Sequence, residues 1–124
     1  MTQRVLVLGG SGFVGRYVVE QLQRQGAEVT VPTRRLAAAR HMWSQPRVHV
    51  TVADVLDAPT LARLVQEHDA VVNLVAILHG SKRQFERVHV ELPRRIADAC
   101  AQAGGRRVVH ISALGAAADG PSMY

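Results

Sequence analysis

Lysine and cysteine each occur once in this chain of 124 residues, at Lys82 and Cys100, and aromatic side chains make up only 4% of it. One cysteine excludes an internal disulfide, and on a helical pattern it reads as a small buried thiol rather than a nucleophile. Scarce aromatics leave little for bases to stack on. The arginines behind the net charge of +5 are scattered as singles and pairs rather than gathered in a stripe. Both features argue against nucleic-acid binding. The six histidines show no metal-ligand spacing, so no metal site is expected. No apolar run is long enough to span a bilayer, and Met1-Thr2-Gln3-Arg4 leads into a strand rather than a signal peptide, so a cytoplasmic protein is expected.

What the chain does have is valine-rich apolar runs alternating with helical patterns. That alternation is the mark of βαβ units feeding one parallel sheet. Strands are predicted at about 4–8, 28–32, 47–52, 70–75 and 107–112, and helices at about 13–25, 36–43, 58–67 and 85–103. Near-continuous runs such as Val71-Val72-Asn73-Leu74-Val75 suit strands covered on both faces. Gly26 and Gly104 stand where helices should stop, and Asp57 is the expected N-cap ahead of Ala58-Pro59. Phe85, Val88, Leu92, Ile96, Ala99 and Cys100 share one helical face, but Pro93 should kink or split that helix. With no linker or repeat, residues 1–124 are expected to form one domain: an α/β, Rossmann-type, doubly wound parallel sheet of about five strands in the order 3-2-1-4-5.

Directly after the first strand, Gly9-Gly10-Ser11-Gly12-Phe13-Val14-Gly15 places glycines at spacing three and opens a helix with Val14, Val18 and Leu22 on one face. In such a turn the first glycine permits a sharp reversal, the second lets backbone N–H groups reach a pyrophosphate, and the third lets helix and strand pack closely. The helix N-terminus adds partial positive charge. Gly9, Ser11, Gly12, Phe13, Val14 and Gly15 are therefore the candidate dinucleotide cradle, against the alternative of a purely structural glycine turn.

About twenty residues on, where an NAD site presents an acid to the ribose, Thr33 stands instead and Arg34 and Arg35 follow. Forked guanidinium donors suit a 2′-phosphate, which predicts NADP(H) over NAD(H); the alternative is an ordinary solvated arginine pair. At the end of the third strand, Asp54 and Val55 could read an adenine edge, or Asp54 could only cap a turn. Leu74, Val75 and Ala76 end the fourth strand at the crossover between sheet halves, small and apolar enough for a cofactor to lie near the backbone. Ser112 and Tyr124 form a candidate proton-transfer pair. A phenol needs a nearby cation to work as acid or base, normally a lysine one helical turn on, and the chain stops first. Local roles for both residues are the favoured alternative.

These motifs together resemble the extended and atypical short-chain dehydrogenase/reductase superfamily, and the resemblance spans essentially the whole chain. Val5 to Gly15, Val31 to Arg35, Val72 to Gly80, Phe85 to Glu91 and Ser112 to Ala116 look like the branch of the NADPH-binding accessory subunit of respiratory complex I. The resemblance implies tightly held NADPH in a structural or regulatory role. In the superfamily serine, tyrosine and a lysine four positions beyond it act together, and further strands and a substrate lobe follow. The chain therefore reads as an N-terminal part of a member, with His89 where many members carry an active-site asparagine. The expectation is a non-catalytic NADP(H)-binding protein, associated with complex I peripherally at the inner membrane or self-associated through an exposed fifth strand. The alternatives are an NAD(P)-dependent oxidoreductase, epimerase or dehydratase, and an NADP-binding redox sensor.

Overall fold

The structure, a computed structural model, describes residues 2–10, 13–36, 40, 45–75 and 81–110. In chain order the elements are β1 (Arg4–Leu8), α1 (Phe13–Arg24), β2 (Glu28–Thr33), β3 (Val48–Val52), α2 (Ala58–Gln66), β4 (Ala70–Asn73), α3 (Lys82–Glu86), a π-helical turn (Arg87–Glu91), α4 (Leu92–Gln102) and β5 (Arg107–His110). All four strand pairings are parallel and the order is β3-β2-β1-β4-β5, the Rossmann-type arrangement expected. Of the helix expected over 36–43, only Leu36 and Arg40 are described, in 3₁₀ geometry; the rest lies outside the described residues.

The alternation of β1 divides the core. Val5 and Val7 join Val19 of α1 and Val29 and Val31 of β2 on one face, while Leu6 and Leu8 join Leu61, Leu64 and Val65 of α2 and Leu92 and Ile96 of α4 on the other. Because both faces of β1 are covered, its run from Val5 to Leu8 can be apolar throughout. Strand β5 is not covered in this way: all four of its residues are exposed, including Val108 and Val109, in line with the exposed fifth strand expected. Among the described residues it pairs through its backbone with β4 alone, at the sheet edge.

Helix α1 is also rotated from the expected face. Val14 is 53% exposed, beside exposed Tyr17, whereas Val19 is fully buried and Val18 and Leu22 are partly buried against the core. The cause is Gly15, which must face the backbone of Gly10 and so turns Val19, one helical turn on, inward. Helix starts and stops follow local chemistry. The Asp57 carboxylate caps α2 by accepting from Thr60 N–H at 3.3 Å and Thr60 Oγ1–H at 2.6 Å, with Pro59 in the first turn. Gly26 and Gly104 adopt φ of +88° and +94° after α1 and α4. The long helical segment begins three residues earlier than expected, at a Ser81/Gln84 capping box. Just ahead of Pro93 it changes register: Leu92 N–H bonds to Arg87 O through a π turn, so the ring enters at the first turn of a renewed α-helix.

Candidate functional site at the carboxyl edge

Parallel pairing brings the carboxyl ends of all five strands to one edge. The chain steps outward from β1 to β2 and β3, then returns to place β4 on the other side of β1. The crevice between the ends of β1 and β4 is therefore the topological switch point, where open α/β sheets take their ligands.

The glycine turn sits at that point, and its geometry explains the residue types. Gly9 has φ of +80°, and a Cβ there would stand 2.9 Å from the carbonyl carbon of Leu74 and from the amide nitrogen of Val75. Neither the conformation nor the contact admits a side chain. A Cβ on Gly15 would lie 2.5 Å from the Cα, C and O of Gly10, so the first turn of α1 rests on bare backbone. Gly10 is tight as well, with Val7 and Val31 methyls 3.1 and 3.2 Å from its would-be Cβ. Ser11, Gly12 and Ala76, the Phe13 side chain, and the pair Ser112 and Tyr124 lie outside the described residues.

At the end of β2, the Thr33 hydroxyl accepts from Arg35 N–H at 3.2 Å and donates to Arg35 O at 3.0 Å. This side-chain turn bends the chain and leaves Arg34 and Arg35 exposed, with no ion pair to either guanidinium among the described residues. At the end of β3, Ala53 N–H still pairs with Thr33 O, and the Asp54 Oδ1 accepts from Leu56 N–H at 3.0 Å. Asp54 thus does cap a turn. Its Oδ2 has no partner among the described residues, so the turn leaves one carboxylate oxygen for a donor. Val55 packs against the core beneath.

At the end of β4, Leu74 N–H bonds to Leu8 O at 2.8 Å, continuing the ladder one step past the strand. Leu74 and Val75 send their side chains into opposite core clusters and present backbone toward Gly9. Residue-level reading missed the group that organises this end. Asn73, 1% exposed, accepts from Val75 N–H through Oδ1 at 3.2 Å, and its amide nitrogen donates to His110 Nδ1 at 3.0 Å. An asparagine inside a valine run is the sequence signal that marks it, but its partner lies 37 positions away and follows only from the β4–β5 register.

The buried titratable groups His68 and Cys100 lie away from this edge. His68, before β4, donates from Nδ1 to Leu64 O and accepts at Nε2 from the Thr30 hydroxyl, and burial lowers its proton affinity. Cys100 is buried and burial pushes its thiol pKa up, as a structural role expects. Among the described residues no three His, Cys, Asp or Glu side chains gather as a metal site, and no helix is long and apolar enough to cross a membrane.

The sequence of these elements matches the model of the NAD dependent epimerase/dehydratase family over residues 5–123. The chain belongs to that family. It is 35% identical over 115 residues to NADH dehydrogenase [ubiquinone] 1 alpha subcomplex subunit 9, mitochondrial, of Mus musculus, covering 89% of this chain and 30% of that protein. It is 33% identical over 114 residues to the NADH-ubiquinone oxidoreductase 40 kDa subunit, mitochondrial, of Neurospora crassa, with the same coverage of 89% and 30%. The chain thus spans about a third of the length of these curated relatives. Among solved structures, Pen from Bacillus thuringiensis superposes with a TM-score of 0.78 at 15% identity, over 88% of this chain and 37% of that one, a likeness of fold.

Proposed function

We propose that this family member holds NADP(H) along the carboxyl edge in a binding rather than a turnover role. The observation that carries the reading is the glycine turn. Gly9 and Gly15 are bare because backbone approaches each within 3 Å of where a side chain would begin, which leaves main-chain N–H groups beside the start of α1 for a pyrophosphate. The donor set fits the rest of the group. Arg34 and Arg35, unpaired among the described residues, suit the 2′-phosphate; Thr33 serves them by making the turn and puts no carboxylate against that charge. Asp54 Oδ2 and the Val55 backbone suit an adenine edge, and the backbone of Leu74 and Val75 borders the middle of the cofactor. Once bound, NADP(H) supplies a hydride donor or acceptor; this chain's described residues supply placement, charge and exclusion of side chains from the cradle.

Similarity to a subunit of mitochondrial NADH dehydrogenase supports a place within a respiratory complex of that kind, attached peripherally to the inner membrane through the complex. A second reading, an oxidoreductase, epimerase or dehydratase, is favoured by the family match and requires turnover of bound cofactor, with Ser112 and Tyr124 as its acid–base pair.

Calorimetric titration of the full chain with NADPH and NADH tests the proposal. NADPH is expected to bind at least about tenfold more tightly, roughly 1.4 kcal/mol, with the margin erased in Arg34→Ala/Arg35→Ala. Equal affinity for the two nucleotides, or a margin that survives the double substitution, defeats the assignment of the arginine pair. Absence of binding by a folded chain defeats the cofactor reading itself.

A further inference from the structure

We propose that Asn73 is a positioning residue that fixes His110 as its Nε2–H tautomer, so that the ring offers a hydrogen-bond donor to an oxygen of the bound dinucleotide. This rests on the reading of the carboxyl edge as the nucleotide face. Asn73 and His110 are register partners on the parallel strands β4 and β5, so their side chains leave the sheet on the same face at its carboxyl end. The Asn73 amide has no freedom to flip: its oxygen is committed to Val75 N–H, so its nitrogen must face His110, and a nitrogen donor requires an unprotonated Nδ1. The neutral ring then carries its proton on Nε2. That nitrogen lies on the far side of the ring from Asn73, on an exposed side chain at the carboxyl end of β5, and has no partner among the described residues.

Asn73 also ties the donor to the cradle. The same amide that orients His110 holds the Val75 N–H, and Val75 and Leu74 are the backbone against which Gly9 is packed. One buried side chain therefore sets both the β4 wall of the crevice and the direction of a donor on the neighbouring strand. The acceptors such a donor suits are the phosphate, ribose and carboxamide oxygens of a dinucleotide.

Long-range proton–nitrogen NMR of the ¹⁵N-labelled full chain reads the tautomer directly, before any ligand is added. His68 is an internal reference of the opposite kind, since it donates from Nδ1 to Leu64 O and accepts at Nε2. His110 is expected to show a bare Nδ1 and a protonated Nε2, and Asn73→Asp, whose carboxylate can only accept, should move the proton to Nδ1. A wild-type His110 that is Nδ1–H, or averages both forms, overturns the positioning role even if the variant does not fold. NADPH should then shift the His110 Nε2 resonance, and His110→Phe should weaken NADPH binding roughly three- to tenfold, with His110→Gln, which keeps an acceptor and a donor, restoring part of the loss. NADPH that binds without moving that resonance, and equally well to His110→Phe, overturns the donor role and leaves the cofactor reading standing. If NADPH does not bind at all, the cofactor reading and the donor role fall together, and the tautomer alone decides what Asn73 does.

Discussion

At the scale of single residues the glycines are not equivalent. Gly26 has φ of +88° with nothing within 4 Å of its would-be Cβ, so Gly26→Ala should cost only the left-handed backbone penalty of about 1–2 kcal/mol. Gly9→Ala adds a collision with the Leu74 and Val75 backbone to the same penalty, and Gly15→Ala drives a methyl into the backbone of Gly10. Each of these two should cost about 3 kcal/mol in urea denaturation, and each should also abolish nucleotide binding, which Gly26→Ala should spare. His68 sets a different dependence. Burial lowers its folded-state pKa from the ordinary 6.5, so below that pH the unfolded chain binds the extra proton first. Its contribution to stability is therefore complete above about pH 6.5 and is lost as pH falls through the folded-state value. Denaturation midpoints followed downward from neutrality should drop more steeply for the wild type than for His68→Gln, which can satisfy Leu64 O and the Thr30 hydroxyl without titrating.

At the scale of elements, the cap of α2 is a measurable unit. Asp57→Ala removes acceptors from both the amide and the hydroxyl of Thr60 and should cost about 1 kcal/mol by denaturant midpoint. That cap was legible in the sequence because it needs only Asp57, Pro59 and the apolar run behind them. The strands were legible for a similar reason, since valine runs bounded by turn residues define them locally. What was not legible is what depends on how elements meet. The exposed side of α1 is decided by the contact of Gly15 with Gly10, and no periodicity within the helix reveals that Val14 turns out and Val19 in. The π turn before Pro93 is a change of hydrogen-bond register, whereas the sequence signals only that something must yield there. The Ser81 start could have been found, because a serine followed three residues later by glutamine is a capping box in plain view. Arg107–His110 has the valines of the buried strands, and its exposure, expected of the fifth strand, reflects its place at the edge of the described sheet. In the candidate site the glycines and the arginine pair announced themselves, while Asn73 and His110 needed the pairing of β4 with β5.

At the scale of the whole molecule, charge and topology act together. The net charge of +5 gives a field that favours anions, and the 2′-phosphate gives NADPH more charge than NADH. Raising the salt concentration should therefore weaken NADPH binding more than NADH binding, so that the preference narrows as screening sets in; paired titrations at low and high ionic strength check this. Among the described residues β5 is the last strand of the sheet on its side, and its valines are exposed. The contact of Gly9 with Leu74 and Val75 has a consequence for time as well as for shape. These residues are about 65 positions apart in sequence, as are Arg4 and Asp69 at the other end of the same strand pair. Closing so large a loop is slow, which makes the crevice a late product of folding: its two walls exist together only after β4 has found β1. A nucleotide lodged there should slow the escape from the native state while leaving the rate of arrival nearly untouched.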